Sequence, residues 1–276
     1  MQYAFLKMQG TGNRILVIDE RAQDRPPPTA EQVRGLGDES TGPGFDQLMW
    51  VGASDDPSID ASYRVFNADG SEVEQCGNGV RCVAWMLARE AAGRLEFRLA
   101  SPAGAIEVRM LDDTRVAVSM GAPEFLPERI PFIADNQCER YELSVGDRQL
   151  DVSVLSMGNP HCVIEVDEVS TADIEVLGPA IERHERFPER TNVGFMAIRG
   201  RDEIDLRVFE RGVGETQACG TGACAAVVAA QQAGRVDHDV RVNLPGGQLV
   251  VSWRRTADTV WLTGNAELIS EGTIDL

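Results

Sequence analysis

The sequence lacks the features that mark several special classes of protein. No run approaches the roughly 18 apolar residues of a membrane span, and residues 1–10 lack the long apolar stretch of a signal peptide. Positive charge is also scarce, since the net charge is −18 and no basic stripe is present to neutralise nucleic-acid phosphates. We therefore expect a cytoplasmic protein with neither a membrane nor a nucleic-acid partner.

Cysteine is too sparse for a disulfide-rich scaffold. The chain has six cysteines and no signal-peptide pattern, so a disulfide framework is not expected. The intervals Cys76–Cys82 and Cys219–Cys224 are not the usual zinc spacings, and no metal site is predicted. Four cysteines are expected to be inert thiols that pack as small hydrophobic residues: Cys82, Cys138, Cys162 and Cys224.

One segment occurs twice, with a cysteine at the same place in each copy. The first copy, 64–82, reads RVFNADGSEVEQCGNGVRC, and the second, 207–225, reads RVFERGVGETQACGTGACA. The copies align without a gap at an offset of 143 residues, and the register continues to the pair Pro102 and Pro245 and beyond. This period is far longer than that of a solenoid, so the pattern indicates duplication of a whole domain.

The repeat predicts two similar domains of the α/β (α+β) class. A chain of 276 residues fits one large domain or two ordinary ones, and the repeat decides for two. We expect domains at 1–120 and 121–262, with the tail 263–276 packed on the first and the active site in the cleft between the two. The proline-bearing stretch 123–131 is the predicted linker.

Each copy predicts a layer of short strands around one buried helix. The segments 78–92 and 222–233 are apolar nearly all round, which is typical of a buried helix, and the glycines Gly93 and Gly234 suit the helix ends. A further helix is predicted from Thr29 to about residue 36, where Thr29 and Gln32 form a capping-box pattern.

The repeated cysteines lie just before the two predicted buried helices. The unpaired N–H groups at a helix start favour an anion, which predicts lowered pKa values for the Cys76 and Cys219 thiols. A thiolate that removes a proton while an opposed thiol donates one inverts a stereocentre, and backbone donors aimed at the α-carboxylate stabilise the charge that develops. No metal or organic cofactor is needed for this chemistry.

The motifs, taken together, resemble those of the diaminopimelate epimerase family along essentially the whole chain. They run in the family's order: Gly12-Asn13, Gly44-Phe45-Asp46-Gln47, Asn67-Ala-Asp-Gly70, Cys76-Gly-Asn-Gly79, Met157-Gly-Asn-Pro-His161, Thr191-Asn192, Glu210-Arg-Gly212 and Cys219-Gly-Thr-Gly222. The resemblance implies two α/β domains, each with strands around a central helix. It also implies cofactor-independent interconversion of L,L- and meso-diaminopimelate in lysine and peptidoglycan precursor biosynthesis.

The resemblance also implies a role for each motif residue. Cys76 and Cys219 would be the two acid/base thiols, and His161 and Glu210 would position the substrate ammonium group and tune the thiols. The backbone of Gly77-Asn78 and of Gly220-Thr221 would hold the reacting α-carboxylate. The rest of the substrate would be held by polar side chains: Asn13, Gln47, Asn67, Asn159, Asn192 and Arg211.

Three positions depart from the family pattern. Arg14-Ile15 stands where the family usually has Asp-Phe, which puts a cation near the site. Asn265 replaces a proline, and Ser270 replaces a tyrosine found at the family's dimer interface. The homodimer that the resemblance implies is therefore less firmly indicated than the active site.

Two alternatives remain open at the level of sequence. The first is a racemase of the same architecture that acts on another amino acid, such as histidine or proline. The second is a thiol redox or binding protein in which Cys76 and Cys219 switch between dithiol and disulfide. A purely structural module would not account for a cysteine at the same place in both copies.

Overall fold

The computed structural model describes residues 1–23, 25–73, 76–91, 93–101, 104–254 and 259–276. The chain forms two compact units, one of Met1–Ser119 with Thr263–Leu276 and one of Met120–Leu262. Pro102, a position of the repeat, and Ala92, the predicted end of the first buried helix, lie outside the described residues.

Up to Ser119, the described residues of the first unit form eight strands and two helices. Its helices are α1, Ala30–Gly37, and α2, Gly77–Glu90. Its strands are β1, Gln2–Gly10; β2, Asn13–Asp19; β3, Gln47–Gly52; β4, Ala61–Asn67; β5, Glu72–Val73; β6, Glu96–Ser101; β7, Gly104–Met110; and β8, Arg115–Ser119.

The second unit repeats this composition, and the last two strands follow it. Its helices are α3, Ile174–Glu182, and α4, Gly220–Gln232. Its strands are β9, Tyr141–Val145; β10, Arg148–Ser156; β11, Pro160–Glu165; β12, Asn192–Gly200; β13, Glu203–Glu210; β14, Gly214–Thr216; β15, Asp239–Leu244; and β16, Gly247–Ser252. The chain ends with β17, Trp261–Asn265, and β18, Glu267–Asp275.

The two units share one strand order. In the first, β1-β2-β3-β4-β6-β7 are neighbours, with parallel pairing only for β2–β3 and β4–β6. In the second, β10-β11-β12-β13-β15-β16 are neighbours, with parallel pairing only for β11–β12 and β13–β15. A helix connects each parallel pair, as such pairs require. The predicted fold class, two duplicated α/β halves, is confirmed.

The central helix of each unit is covered by its sheet. In the first unit α2 contacts β1, β2, β3, β7 and β8, and in the second α4 contacts β10–β13, β15 and β16. The sheet therefore curves around the helix, and every residue of α4 from Gly222 to Gln231 is buried. The C-terminal strand β18 pairs with β1 along the first unit.

The helix predictions are confirmed with small changes of boundary. Thr29 is the N-cap of α1, and both hydrogen bonds of the capping box with Gln32 are formed. The last helix ends at Gln232, one residue before its predicted end, and Gly234 beyond it has a φ of +69°. No helix among the described residues combines the length and apolar composition that crossing a bilayer requires.

The predicted linker 123–131 is wrong. Glu124 forms a backbone bridge with Ser156, and a 3-10 turn follows at Pro127–Arg129. Ile130 is fully buried in an apolar cluster of the second unit. Pro127 begins the 3-10 turn, which packs in this unit, so the stretch belongs to the second unit.

The contact of Gly79 with β3 provides a test of the packing. A methyl group on Gly79 would overlap Met49 Sδ and lie 2.9 Å from Met49 Cγ, and Met49 is fully buried. Gly79→Ala is expected to lower the free energy of unfolding by about 1–3 kcal/mol, because the core must shift. Urea unfolding followed by circular dichroism measures this. Gly35→Ala in α1, where a methyl group meets no atom within 4 Å, is the matched control, with a neutral or slightly stabilising effect expected. Equal effects of the two variants would contradict the packing described.

Candidate active site

Each unit carries one half-site, built where a cysteine begins the central helix. Cys76 is the N-cap of α2 and Cys219 is the N-cap of α4, both with extended backbone. This confirms that each repeated cysteine lies just before a helix. The N–H groups of Gly77, Asn78, Gly220 and Thr221 lie in the first turns, where an α-helix leaves its N–H groups without intrahelical acceptors.

Three strand ends bring polar side chains to the same edge of each sheet. In the first half-site β2 begins at Asn13, β3 begins at Gln47 and β4 ends at Asn67, and Gln47 pairs directly with Asn67. In the second, β11 begins after Asn159, β12 begins at Asn192 and β13 ends at Glu210. The duplicated topology therefore places three predicted side chains together in each unit.

In the first half-site a chain of hydrogen bonds connects Cys76 to two of these polar side chains. The Cys76 thiol donates to Gln47 Oε1, and Gly79 N–H donates to Cys76 Sγ at 3.2 Å. Gln47 Nε2 donates in turn to Asn67 Oδ1 at 3.1 Å. The structure thus assembles Cys76, Gln47 and Asn67 into one group.

Asn13 and its neighbour Arg14 lie beside that group. Asn13 closes a two-residue turn in which Thr11 and Gly12 both have positive φ, as a tight hairpin requires. The Arg14 guanidinium is paired with Glu39 and, at 3.1 Å, with Asp46. These hydrogen bonds, that to Asp46 first, raise the pKa of Arg14 above its ordinary value. The cation that departs from the family pattern is therefore matched by two carboxylates of its own unit.

In the second half-site four side chains form a chain that ends at Cys219. His161 Nε2 lies 3.0 Å from Asn159 Oδ1, and Asn159 Nδ2 donates to Thr221 Oγ1 at 3.4 Å. Thr221 Oγ1 is 3.6 Å from Cys219 Sγ. His161 is almost fully buried on β11, and this burial, with the charge of Arg211, lowers its pKa to about 3. The imidazole is therefore neutral at physiological pH.

The predicted lowering of the Cys219 pKa is wrong for the protein without substrate. Burial, and next the negative charge of Glu210, raise the pKa of the Cys219 thiol to about 12. The opposing hydrogen bonds from Thr221 and the Gly222 N–H are weaker than these two effects. The helix N-terminus alone does not ionise a thiol that is only 5% exposed.

Asn192 and Glu210 hold the turn that carries Arg211. The buried Asn192 donates from Nδ2 to Pro160 O at 2.9 Å and accepts the Arg211 N–H at 3.0 Å. Glu210 Oε1 accepts the Thr216 hydroxyl at 2.5 Å. Arg211 is exposed, and its Nη1 donates to Glu189 O. Both the nitrogen and the oxygen of the Asn192 side-chain amide are therefore hydrogen-bonded to backbone groups beside the predicted substrate-binding residues.

Two buried charged side chains support the half-sites and were not predicted. Arg81, fully buried in α2, donates to Asn78 Oδ1, Thr11 Oγ1 and Asn265 O, and burial lowers its pKa. Glu182 at the end of α3 is also buried, and its Oε1 accepts the Gly212 N–H at 2.8 Å. A charged residue inside an otherwise apolar helix was the only signal for Arg81.

The remaining cysteines are mostly as predicted. Cys82, Cys162 and Cys224 are fully buried, and burial raises the pKa of Cys82 and of Cys162 to about 12. The prediction is wrong for Cys138, which is exposed in the turn before β9. In the part of the chain that the structure describes, no group of three or more His, Cys, Asp or Glu is arranged to hold a metal ion.

Known proteins are similar in sequence to this chain along its full length. The family model described as diaminopimelate epimerase matches residues 5–126 and 153–269. A diaminopimelate epimerase of Pseudomonas savastanoi pv. phaseolicola is 46% identical over 279 residues, and one of Pseudomonas entomophila is 47% identical over 280, each with 100% of both chains covered. The chain belongs to the diaminopimelate epimerase family.

Solved structures that are distant in sequence share the fold. A predicted epimerase from Pseudomonas aeruginosa has a TM-score of 0.69 at 14% identity, with 99% of each chain covered. A hydroxyproline epimerase from Agrobacterium vitis has a TM-score of 0.65 at 15% identity, covering 99% of this chain and 91% of its own. These structural similarities show that this member of the diaminopimelate epimerase family has the same fold as the two solved proteins. They show nothing about its substrate.

The effect of Glu210 on Cys219 can be measured directly in this diaminopimelate epimerase family member. Glu210→Gln removes the negative charge, so the pKa of the Cys219 thiol is expected to fall while burial keeps it above its ordinary value. Alkylation of Cys219 by iodoacetamide at pH 9, followed by peptide mass spectrometry, should be about threefold to tenfold faster, the ratio for half to one pKa unit. Glu203→Gln, at the other end of β13, is the control and should leave the rate unchanged. No acceleration in Glu210→Gln would contradict this account of the thiol.

Proposed function

We propose that this chain interconverts L,L- and meso-diaminopimelate without a cofactor, with Cys76 and Cys219 as the two acid–base groups. The chain is an isomerase of the epimerase type. The observation that carries the proposed mechanism is that both central helices begin at a cysteine within a duplicated fold.

Each thiol has one task in each direction of the reaction. One thiolate removes the α-hydrogen as a proton, the other thiol donates a proton to the opposite face of the same carbon, and the configuration inverts. The two sulfur atoms have then exchanged protonation states, so the reverse reaction uses the same pair. Cys219 is a thiol before substrate arrives, because burial and Glu210 raise its pKa. A substrate ammonium group beside Glu210 would offset that charge and lower the pKa.

The first turns of the two helices would hold the reacting carboxylate. Removal of the α-proton shifts negative charge onto the carboxylate oxygens, which is where N–H donors stabilise a transition state most. The N–H groups of Gly77, Asn78, Gly220 and Thr221 belong to those first turns. They are fixed before the reaction by the packing of the buried helices, so no reorganisation accompanies the proton transfer.

The second amino-acid head group would be bound by the polar strand ends and Arg211. A planar guanidinium binds a carboxylate through two parallel hydrogen bonds, and Arg211 is exposed on a turn whose backbone Asn192 and Glu182 hold. Side-chain amides would accept from or donate to the distal ammonium and carboxylate, namely Asn13, Gln47, Asn67, Asn159 and Asn192. Proline has no such group, which favours diaminopimelate over a proline racemase reaction.

The lysine content supports a reaction that does not use pyridoxal phosphate. A pyridoxal phosphate enzyme binds its cofactor through a lysine Schiff base. Lys7 is the only lysine of the chain, and its Nζ donates to Pro43 O at 2.7 Å.

We also propose that the protein is located in the cytoplasm, acts in lysine and peptidoglycan precursor biosynthesis, and assembles as a homodimer. β18 carries the exposed apolar side chains Leu268 and Ile269 next to Ser270. This strand is where we place the contact between copies.

An exchange assay in deuterated water tests substrate and reaction type together. With L,L-diaminopimelate, the α-hydrogen signal in the proton NMR spectrum should be lost as the meso isomer forms. L-Lysine lacks the distal carboxylate and L-proline lacks the whole distal head group, so both should exchange at least about a hundredfold more slowly, the discrimination typical of unpaired buried polar groups. Faster exchange of proline or histidine than of diaminopimelate would favour the alternative racemase. No exchange with any of them would favour a redox or binding role.

A further inference from the structure

A chain of hydrogen bonds runs from the Cys76 thiol to an exposed carboxylate. It passes from Cys76 to Gln47 and on to Asn67. Asn67 Nδ2 then donates to Ser71 Oγ at 3.0 Å, and the Ser71 hydroxyl donates to Asp69 Oδ1 at 2.6 Å. Asp69 and Ser71 lie in the turn after β4 and are connected to Cys76 through Asn67 and Gln47.

The carboxylate fixes the direction of every hydrogen bond in this chain. An ionised carboxylate can only accept, so the Ser71 hydroxyl must donate to Asp69 and accept from Asn67 Nδ2. Asn67 is thereby oriented with Oδ1 towards Gln47, and Gln47 must present Nε2 to Asn67. Gln47 Oε1 is left facing Cys76, where it can only accept the thiol hydrogen.

The turn that holds Asp69 is fixed by further hydrogen bonds. Ser71 N–H donates to Asp69 Oδ1 at 2.8 Å, Asn67 N–H donates to Ser71 O at 2.8 Å, and Arg34 Nη1 donates to Asp69 O at 3.1 Å. The hydrogen bonds from Ser71 hold the pKa of Asp69 below its usual value. The carboxylate therefore stays ionised across the neutral range.

We infer that Asp69 and Ser71 are positioning residues that keep Cys76 in its protonated, proton-donating state before substrate binds. They act through Asn67 and Gln47. Without them the side-chain amides could rotate by about 180°, and Gln47 could then donate an N–H to the sulfur. The second half-site has no equivalent, because the repeat aligns Asp69 with Gly212 and Ser71 with Gly214. There the Asn67 position is occupied by Glu210, a carboxylate that itself influences the Cys219 thiol.

Other titratable and charged groups surround Cys76 in the first unit, and the test must leave them unchanged. Buried Arg81 and Cys82 on α2 and Tyr63 on β4 interact with it electrostatically. Arg64 on β4 and Glu72 on β5 form an ion pair at 2.6 Å on the neighbouring strands. None of these is hydrogen-bonded to Asp69 or Ser71 among the described contacts.

The test is the pH dependence of Cys76 alkylation in Asp69→Asn and in Ser71→Ala. Loss of the fixed direction should let Gln47 stabilise the thiolate, so the alkylation midpoint should fall by about half a pH unit. Below the midpoint the rate should rise about threefold. Iodoacetamide labelling with peptide mass spectrometry resolves Cys76 from the other thiols. The catalytic meaning of the result rests on the proposed function, but alkylation needs no substrate and would report on Asp69 even if the chain failed to epimerise.

Asp38→Asn is the matched control. Asp38 accepts from the N–H and the hydroxyl of Ser40 at 2.8 and 2.7 Å, the same local arrangement as Asp69 with Ser71. This control should leave the Cys76 midpoint where it is in the wild type. An unchanged or raised midpoint in both Asp69→Asn and Ser71→Ala, or an equal shift in Asp38→Asn, would overturn the inference.

Discussion

A helix that is apolar on nearly all sides has to be covered on all sides, and the rest of each unit follows from that requirement. In α4 every residue from Gly222 to Gln231 is buried, and strands from both ends of the sheet order contact it. Burial of such a helix removes a large apolar area from water, at about 25 cal/mol per Å². At its C-terminal end the N–H groups of residues 233–235 donate to carbonyls of the last turns, whereas the N–H donors of its first turn cannot be satisfied within the helix and need a polar partner. The cysteine at that end is therefore held by the most buried element of the unit.

The duplication gives both half-sites the same frame but different chemistry. Three strand ends lie at the same sheet edge in each unit, and they carry Asn13, Gln47 and Asn67 in one unit and Asn159, Asn192 and Glu210 in the other. A neutral amide accepts from the Cys76 thiol, whereas burial, and next the carboxylate of Glu210, raise the pKa of Cys219. A two-base reaction needs one acid and one base at a time. In the proposed reaction a substrate ammonium group beside Glu210 would lower the pKa of Cys219 and not that of Cys76, so the unequal surroundings would separate those roles.

Much of this could be predicted from the sequence because the signals were local and repeated. The cysteine before each apolar run, the Thr29 capping box and the glycines after the helices each fix a boundary through neighbours in the chain. The ionisation of Cys219 could not be predicted, because it depends on how deeply the folded sheet buries the sulfur. The supporting role of Arg81 could not be predicted either, because its acceptors include Thr11 and Asn265, which are far away in sequence. The stretch 123–131 was mistaken for a linker because prolines mark a packed turn as readily as a boundary.

The central claim is that two thiols, one from each copy of the repeat, divide the proton transfer between them. The most direct measurement follows the wild type, Cys76→Ser and Cys219→Ser in deuterated water, starting from each isomer of diaminopimelate in turn. A serine hydroxyl is too weak an acid to replace a thiol, so conversion of one isomer into the other should fall by at least about a hundredfold in both variants, with circular dichroism spectra unchanged. A variant that is folded and still converts the isomers at the wild-type rate would contradict the account.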